Sequence, residues 1–208
     1  MRIITVSREF GSGGRELGKR LADELNIAYY DKEIVTEIAK RCALDEKYVS
    51  ATLEKSFLHS FPLHFGHSFA YIATPTVPNM SLNILTEQTK LIKELAEKGD
   101  CVIVGRASDI ILSAYNPFKL FVYADMEAKI DRCIGRAPEG EEMTRRETEK
   151  MIKKIDTERK KVHSLISDVE WGDKKHYHLC VNTSGMEIKS LVHSVAEYAK
   201  LWFEANSQ

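Results

Sequence analysis

No stretch of the 208-residue sequence holds an apolar run of membrane-span length, so nothing in it predicts a bilayer-crossing helix. An excess of one charge is missing too: 30 Lys and Arg stand against 31 Asp and Glu, a formal net charge of −1. General binders of nucleic acid or of a membrane surface need a basic excess, so neither partner is expected, and any anionic ligand must be met by locally clustered cations. Cysteine is sparse. Cys42, Cys101, Cys133 and Cys180 lie far apart without a metal-type pair and read as reduced, mostly buried thiols of a cytoplasmic protein. Met1-Arg2 leads straight into an apolar segment, which leaves no room for a signal peptide. There is no internal repeat and no low-complexity tract. What remains is a length and an ordinary polar balance that suit one soluble domain with a full core.

One stretch organises the rest. Ile3-Ile4-Thr5-Val6 is a short β-branched run, the pattern of a buried strand. Gly11, Gly13 and Gly14 follow, and Leu17, Leu21 and Leu25 then mark a helix. Glycines there let backbone N–H groups converge on an anion, and the helix N-terminus adds partial positive charge. The stretch reads as a phosphate-binding strand–loop–helix, or as a glycine-rich connection with no ligand.

Downstream, Asn26 ends the first helix and Ile27-Ala28-Tyr29-Tyr30 predicts a strand closing on Asp31. Ile34, Val35, Ile38, Ala39 and Cys42 share a helical face, and Asp45 is placed to cap a further helix through Leu53. Residues 57–80, rich in Phe and His, break all periodicity until Leu85, Gln88, Ile92 and Leu95 restore it, with Gly99 as the stop. Cys101-Val102-Ile103-Val104 and Leu120–Ala124 predict buried strands, the second followed by a helix through Ile130 and Ile134. A polar segment at 136–142 precedes a charged helix over about 143–167, with Met151, Ile152, Ile155, Val162, Leu165 and Ile166 as its apolar stripe. Tyr177–Val181 predicts the last strand, and apolar residues from Ile188 to Phe203 a final helix. Strands alternating with helices predict an α/β fold with a parallel sheet of about five strands and ligands at the strands' carboxyl ends. Residues from about 32 to 98 exceed what one crossover needs and read as an insertion.

Candidate chemistry gathers at those strand ends. An arginine after a central strand, as in Gly105-Arg106, is costly unless it meets an anion; it faces a phosphate or forms an ion pair with Asp109 or Asp31. Asp31 suits a helix cap or a ligand contact equally. Asp109 could cap, pair with Arg106 or meet a base. On the charged helix Ile152, Asp156, Arg159 and His163 share one face. Such a helix is ordinarily a solvated, salt-bridged face; alternatively Arg159, with Arg132 or Arg136, closes over transferring phosphates. His59, His64 and His67 have metal-like spacing but no carboxylate or cysteine partners.

Together Ile4-Thr5-Val6-Ser7-Arg8-Glu9-Phe10-Gly11-Ser12-Gly13-Gly14-Arg15-Glu16, Tyr30-Asp31-Lys32-Glu33, Cys101–Arg106, Asp156-x-x-Arg159, Trp171-Gly172 and Asn182-Thr183-Ser184 resemble the cytidylate kinase-like family, among the P-loop nucleoside monophosphate kinases. The resemblance runs nearly end to end. It implies a P-loop NTPase-type three-layer fold as a single domain, with a helical NMP-binding insertion at about 32–98 and a lid with its following helix at about 135–167. It also implies small-molecule nucleotides as partners: transfer of the ATP γ-phosphoryl group, with Mg²⁺, to a nucleoside monophosphate, CMP or dCMP foremost.

The resemblance makes Gly11, Ser12, Gly13, Gly14, Arg15 and Glu16 the phosphate loop, and Arg106, Asp31 and Asp109 the acceptor side. Arg15, Arg132, Arg136 and Arg159 become the catalytic cations. The loop departs from G-x-x-x-x-G-K-[ST], since Gly14 stands where the lysine belongs and Glu16 where the metal-binding hydroxyl belongs. Lys19, in the literal string from Gly13, falls inside the helix. Arg15 or Arg8 can supply the missing charge, and Glu16 can reach the metal or simply favour the helix dipole. A non-catalytic nucleotide-binding regulator on the same fold is the second reading. A dinucleotide oxidoreductase fails at Glu16, where close helix packing needs a small residue.

Overall fold

The computed structural model describes residues 1–54, 76–137 and 143–206. Most of the aromatic stretch, with His59, His64 and His67, and residues 138–142 of the polar segment lie outside the described residues.

Strand β1 (Ile3–Arg8) enters the glycine loop and helix α1 (Gly14–Leu25). Asn26 terminates α1 at φ 51°, a left-handed conformation that asparagine tolerates. After β2 (Ala28–Tyr30) the chain makes α2 (Lys32–Cys42), α3 (Glu46–Glu54) and α4 (Thr76–Glu97) before returning as β3 (Cys101–Val104). Asp45 caps α3 as expected, its Oδ1 accepting from the N–H groups of Lys47 and Tyr48 at 2.9 and 3.2 Å. Helix α4 begins inside the stretch read as aperiodic. Pro78 sits in its first turn, where a missing N–H breaks no helical bond.

A short α5 (Ser108–Ile111) leads to β4 (Phe118–Tyr123), α6 (Met126–Ile134) and α7 (Arg145–Ser164); β5 (Leu179–Asn182) and α8 (Ile188–Ala205) complete the chain. Thr144 and Glu147 form a reciprocal capping box at the start of α7. Two expectations shift. Tyr177 precedes β5 instead of starting it, and Leu165 and Ile166, read as core, lie beyond α7 and are exposed.

The five strands are all parallel in the order β2-β3-β1-β4-β5. Central β1 pairs with β3 through Ile4↔Val102 and with β4 through Val6↔Leu120. One face packs Ile3 and Ile103 against Ile34, Ile38, Ile84 and Ile92 of α2 and α4. The other packs Val6 and Leu120 against Leu17 and Leu21 of α1 and Val192 and Ala196 of α8. Three layers result, with the ends of β1 and β3 opening beside α7. No helix among the described residues is long and apolar enough to cross a membrane.

Phe118 is fully buried against the rings of His178, Tyr198, Trp202 and Phe203. Phe118→Ala is expected to cost about 3–5 kcal/mol, read as a lowered urea midpoint at unchanged m-value.

Candidate functional site

The glycine loop leaves β1 under tight constraint. Gly11 and Gly13 have φ of 77° and 80°, where a side chain is strained. A Cβ at Gly13 would also lie 2.4 Å from Ile188 Cδ1. Side chains around the loop hold its shape. Arg132 donates from Nη1 to Gly11 O at 2.7 Å and from Nη2 to Thr183 O at 3.1 Å. The Thr183 hydroxyl donates to Ser12 O at 2.7 Å. Ser12, itself buried, donates from Oγ to Glu9 O at 2.8 Å, so its side chain builds the loop. Gly13 caps α1 with no side-chain hydrogen bond, and Arg15 and Glu16 of the first turn both line the larger cavity described below.

Beneath the loop lies a buried charge network. Lys129 Nζ donates to Glu9 Oε2 at 2.9 Å and lies 3.4 Å from Asp156 Oδ2. Asp156 Oδ1 accepts the Phe10 N–H at 2.6 Å, joining α7 to the loop. Burial pushes the Asp156 carboxyl above its ordinary range, and the Phe10 N–H and Lys129 offset only part of that.

Two cavities open here. One, of about 870 Å³, is walled by the loop glycines, Glu16, Arg132, Arg136 and Arg159. The other, of about 660 Å³, is walled by Ser7, Lys47, Arg106, Lys154, Arg159 and Trp171. Arg8, Phe10, Arg15, Met151 and Arg159 belong to both, so three guanidinium groups stand on the common wall.

Arg8 is the group that sequence reasoning placed only as a substitute. Its stem crosses Gly14, where a Cβ would lie 2.6 Å from Arg8 Cβ, and its guanidinium reaches Gly105, where a Cβ would lie 1.7 Å from Nη1. Burial first, then the charges of Arg159 and Arg106, oppose its positive charge. A guanidinium does not shed its proton readily, so an anion is what relieves this crowding. The only sequence signal was glycine at both 14 and 105, flanking one long cation.

The other expected residues fall as follows. Arg15 donates from Nε to Asp31 Oδ2 at 2.6 Å, and Asp31 is buried without capping α2. Arg106 follows β3 at φ 58°, between Gly105 at 72° and Ala107 at 51°, and its carbonyl accepts from Gln88 Nε2 at 3.3 Å. Three consecutive left-handed residues are a strained turn of the kind found at ligand sites. Arg159 donates to Arg8 O at 3.0 Å and lies 5.6 Å from the Phe10 ring centroid.

Asp109 faces His163 and His176, with one oxygen 3.4 Å from each Nε2. Burial pushes its carboxyl up, but hydrogen bonding and charge from the two imidazoles outweigh this and hold it well below the usual range. Arg132, expected to close over phosphates, spends its guanidinium on the loop carbonyls, whereas Arg136 pairs with Glu16. Glu16 Oε1 also accepts from Arg20 at 2.8 Å. Burial raises the Glu16 carboxyl and the two arginines more than reverse that.

A five-strand parallel sheet in this order, with helices on both faces, is a fold shared with P-loop kinases. Shikimate kinase from Bacteroides thetaiotaomicron shares it at TM-score 0.57 and 14% identity, over 96% of this chain and 98% of that one. A gluconokinase from Sinorhizobium meliloti 1021 does so at TM-score 0.56 and 12% identity, over 99% and 95%. An uncharacterized protein from Eubacterium ventriosum ATCC 27560 is similar at TM-score 0.68 and 27% identity, over 96% and 99%. No curated protein matches the chain. The chain belongs to the cytidylate kinase-like family, whose model matches residues 3–185.

The Arg8 stem explains why the lysine of a standard loop is missing. Gly14→Lys is expected to destabilise the protein by about 1–3 kcal/mol through overpacking. It should not tighten ATP binding; urea unfolding and nucleotide titration measure the two effects.

Proposed function

We propose that the protein transfers the γ-phosphoryl group of ATP to a nucleoside monophosphate. The observation that carries this reading is the common wall of Arg8, Arg15 and Arg159 between two cavities. A phosphoryl group passing between them meets three cations, and its loose transition state needs charge neutralisation and alignment more than covalent help. ATP occupies the larger cavity, with its phosphates on the open first-turn N–H groups of α1, the loop being held ready by Arg132 and Ser12. Arg136 stands on that wall beside Glu16.

The acceptor occupies the smaller cavity with its phosphate on Arg106. A phosphate oxygen of the acceptor attacks the γ-phosphorus, and the bond from that phosphorus to the β–γ bridging oxygen breaks, giving a nucleoside diphosphate and ADP. The attacking oxygen is already ionised, so no general base is required. Asp31 orients Arg15. Residues 32–98 serve as the acceptor-binding insertion and 135–167 as the lid with its helix. CMP and dCMP are the acceptors proposed first, on family membership.

Mg²⁺ enters as part of the nucleotide. A hard divalent ion of this kind takes phosphate oxygens, water and one or two carboxylates. Both Glu16 oxygens accept from arginines, and Glu9 Oε2 accepts from Lys129. The described residues therefore do not fit a protein-built magnesium site, and Glu16 is not assigned as a ligand. The same loop, lacking both lysine and hydroxyl, favours one second reading: a regulator that binds ATP without turning it over.

A coupled assay of ADP formation with ATP–Mg²⁺ and each of CMP, dCMP, UMP and AMP separates the two. Turnover with at least one acceptor is expected; measurable ATP binding with no turnover on any of them would leave the regulator. Arg106→Ala should raise the acceptor KM by about 10- to 100-fold with the ATP KM little changed, the loss of one charge-assisted contact. Arg159→Ala should instead lower kcat by about 10²- to 10³-fold, as removal of a transition-state donor does.

A further inference from the structure

The cluster of Asp109, His163 and His176 takes no part in the reaction above, and its imidazole–carboxylate contacts are long. The residues converge from α5, from α7 and from the turn before β5. Asp109 and His163 are almost wholly buried, and His176 nearly so. Both Nε2 atoms address one oxygen, Asp109 Oδ2, each at 3.4 Å. Charge-assisted N–H···O contacts are about 2.7–2.9 Å, so neither approach is a good one of that kind. Among the described residues His176 Nε2 is buried without a well-formed hydrogen bond, which is costly as it stands. The two imidazoles stand nearly perpendicular, at 81°. The three ligand atoms all lie within 4.8 Å of one another.

We propose that Asp109 Oδ2, His163 Nε2 and His176 Nε2 bind a divalent transition-metal ion of the Zn²⁺ class. A tetrahedral ion with arms of about 2.0–2.1 Å holds its ligand atoms about 3.3–3.4 Å apart, which is the spacing seen on both edges to the carboxylate. Two imidazoles and one carboxylate suit a borderline ion rather than Mg²⁺ or Ca²⁺. Three protein ligands leave a fourth position, beside the cavity that Asp109 and His163 help to line.

The ion would act on position rather than on chemistry. Asp109 lies three residues after Arg106, and His163 four residues, about one helical turn, after Arg159. Binding therefore pins the turn that carries one arginine to the helix that carries the other, and sets the spacing across the smaller cavity. The site itself stands on these three residues alone, whatever the cavities hold.

The full chain, stripped of metal with a chelator that is then removed, is titrated with Zn²⁺ alone by calorimetry and by thermal unfolding. One equivalent per chain and a raised Tm are expected. His176→Gln keeps a polar partner for Asp109. It should lose Zn²⁺ affinity by at least about 100-fold, the upper end of what even an outer-shell partner contributes. Its Tm without metal should stay near that of the unaltered protein, and Zn²⁺ should no longer raise it.

Co²⁺ loaded into the unaltered chain should show the ligand-field absorption of a four-coordinate nitrogen and oxygen site, a readout that does not depend on any variant folding. The proposal is overturned if the unaltered chain takes up no equivalent of Zn²⁺, or if His176→Gln binds as tightly. It is overturned too if the Co²⁺ spectrum carries thiolate charge-transfer bands, which would move the metal to the cysteines.

Discussion

A half-buried guanidinium crowded by charges of its own sign sets the terms for the site. Arg8 leaves the last position of the central strand, passes one glycine and reaches another, with further arginines on the same wall. Taking a cation out of water costs several kcal/mol unless an opposite charge or hydrogen bonds meet it. Here the neighbours that weigh most on it, Arg159 and Arg106, carry the same sign. Asp31 works in the opposite direction, although its close partner is Arg15. The surrounding structure holds the arrangement in place. The parallel sheet fixes Arg8, the strained turn at Gly105-Arg106-Ala107 fixes Arg106, and α7 fixes Arg159 through its bond to the Arg8 carbonyl. Such a cluster is stable as a receptor for anions.

The glycine loop belongs to the same economy of space. In a standard phosphate loop the chain supplies its cation from within the loop. In the function proposed above the strand before it does so, and a side chain at position 14 would meet the Arg8 stem. The loop's own rigidity comes from elsewhere: Arg132 and Thr183 grip its carbonyls, and Asp156 takes the Phe10 N–H. Lys129, a buried lysine close to the loop, is held by Glu9 and Asp156 beneath it. Its charge balances those carboxylates and is turned away from the cavity-facing side.

Most of the fold was legible because local patterns and tertiary demands agree. The runs Ile3–Val6 and Cys101–Val104 are buried on both faces, as continuous apolar strands of a parallel sheet should be, and Asn26 and Asp45 end or cap helices by side-chain chemistry that spacing alone reveals. Boundaries failed where that agreement lapses. Leu165 and Ile166 keep helical spacing but lie past the end of α7 and stay exposed, and α4 starts ten residues or so before its apolar period becomes visible. Of the expected site residues, Gly11, Gly13, Gly14, Arg15, Glu16, Arg132, Arg136 and Arg159 line one cavity, whereas Ser12, Asp31, Arg106 and Asp109 do not line it. Pairings were beyond reach. That Asp31 meets Arg15, or that Asp109 meets His163 and His176, depends on contacts between segments up to 67 positions apart, which no local pattern encodes.

Helix α7 touches both sides of this apparatus through side chains one turn apart: Asp156 holds the Phe10 amide of the loop, and Arg159 holds the Arg8 carbonyl while facing both cavities. A helix is stiff on that scale, so neither contact can lengthen without disturbing the other. Occupancy of one cavity that draws α7 inward must therefore alter the affinity of the second, and by thermodynamic reciprocity the second alters the first by the same factor. Ligands that each shift α7 do not bind independently, and their order of arrival leaves the size of that coupling unchanged.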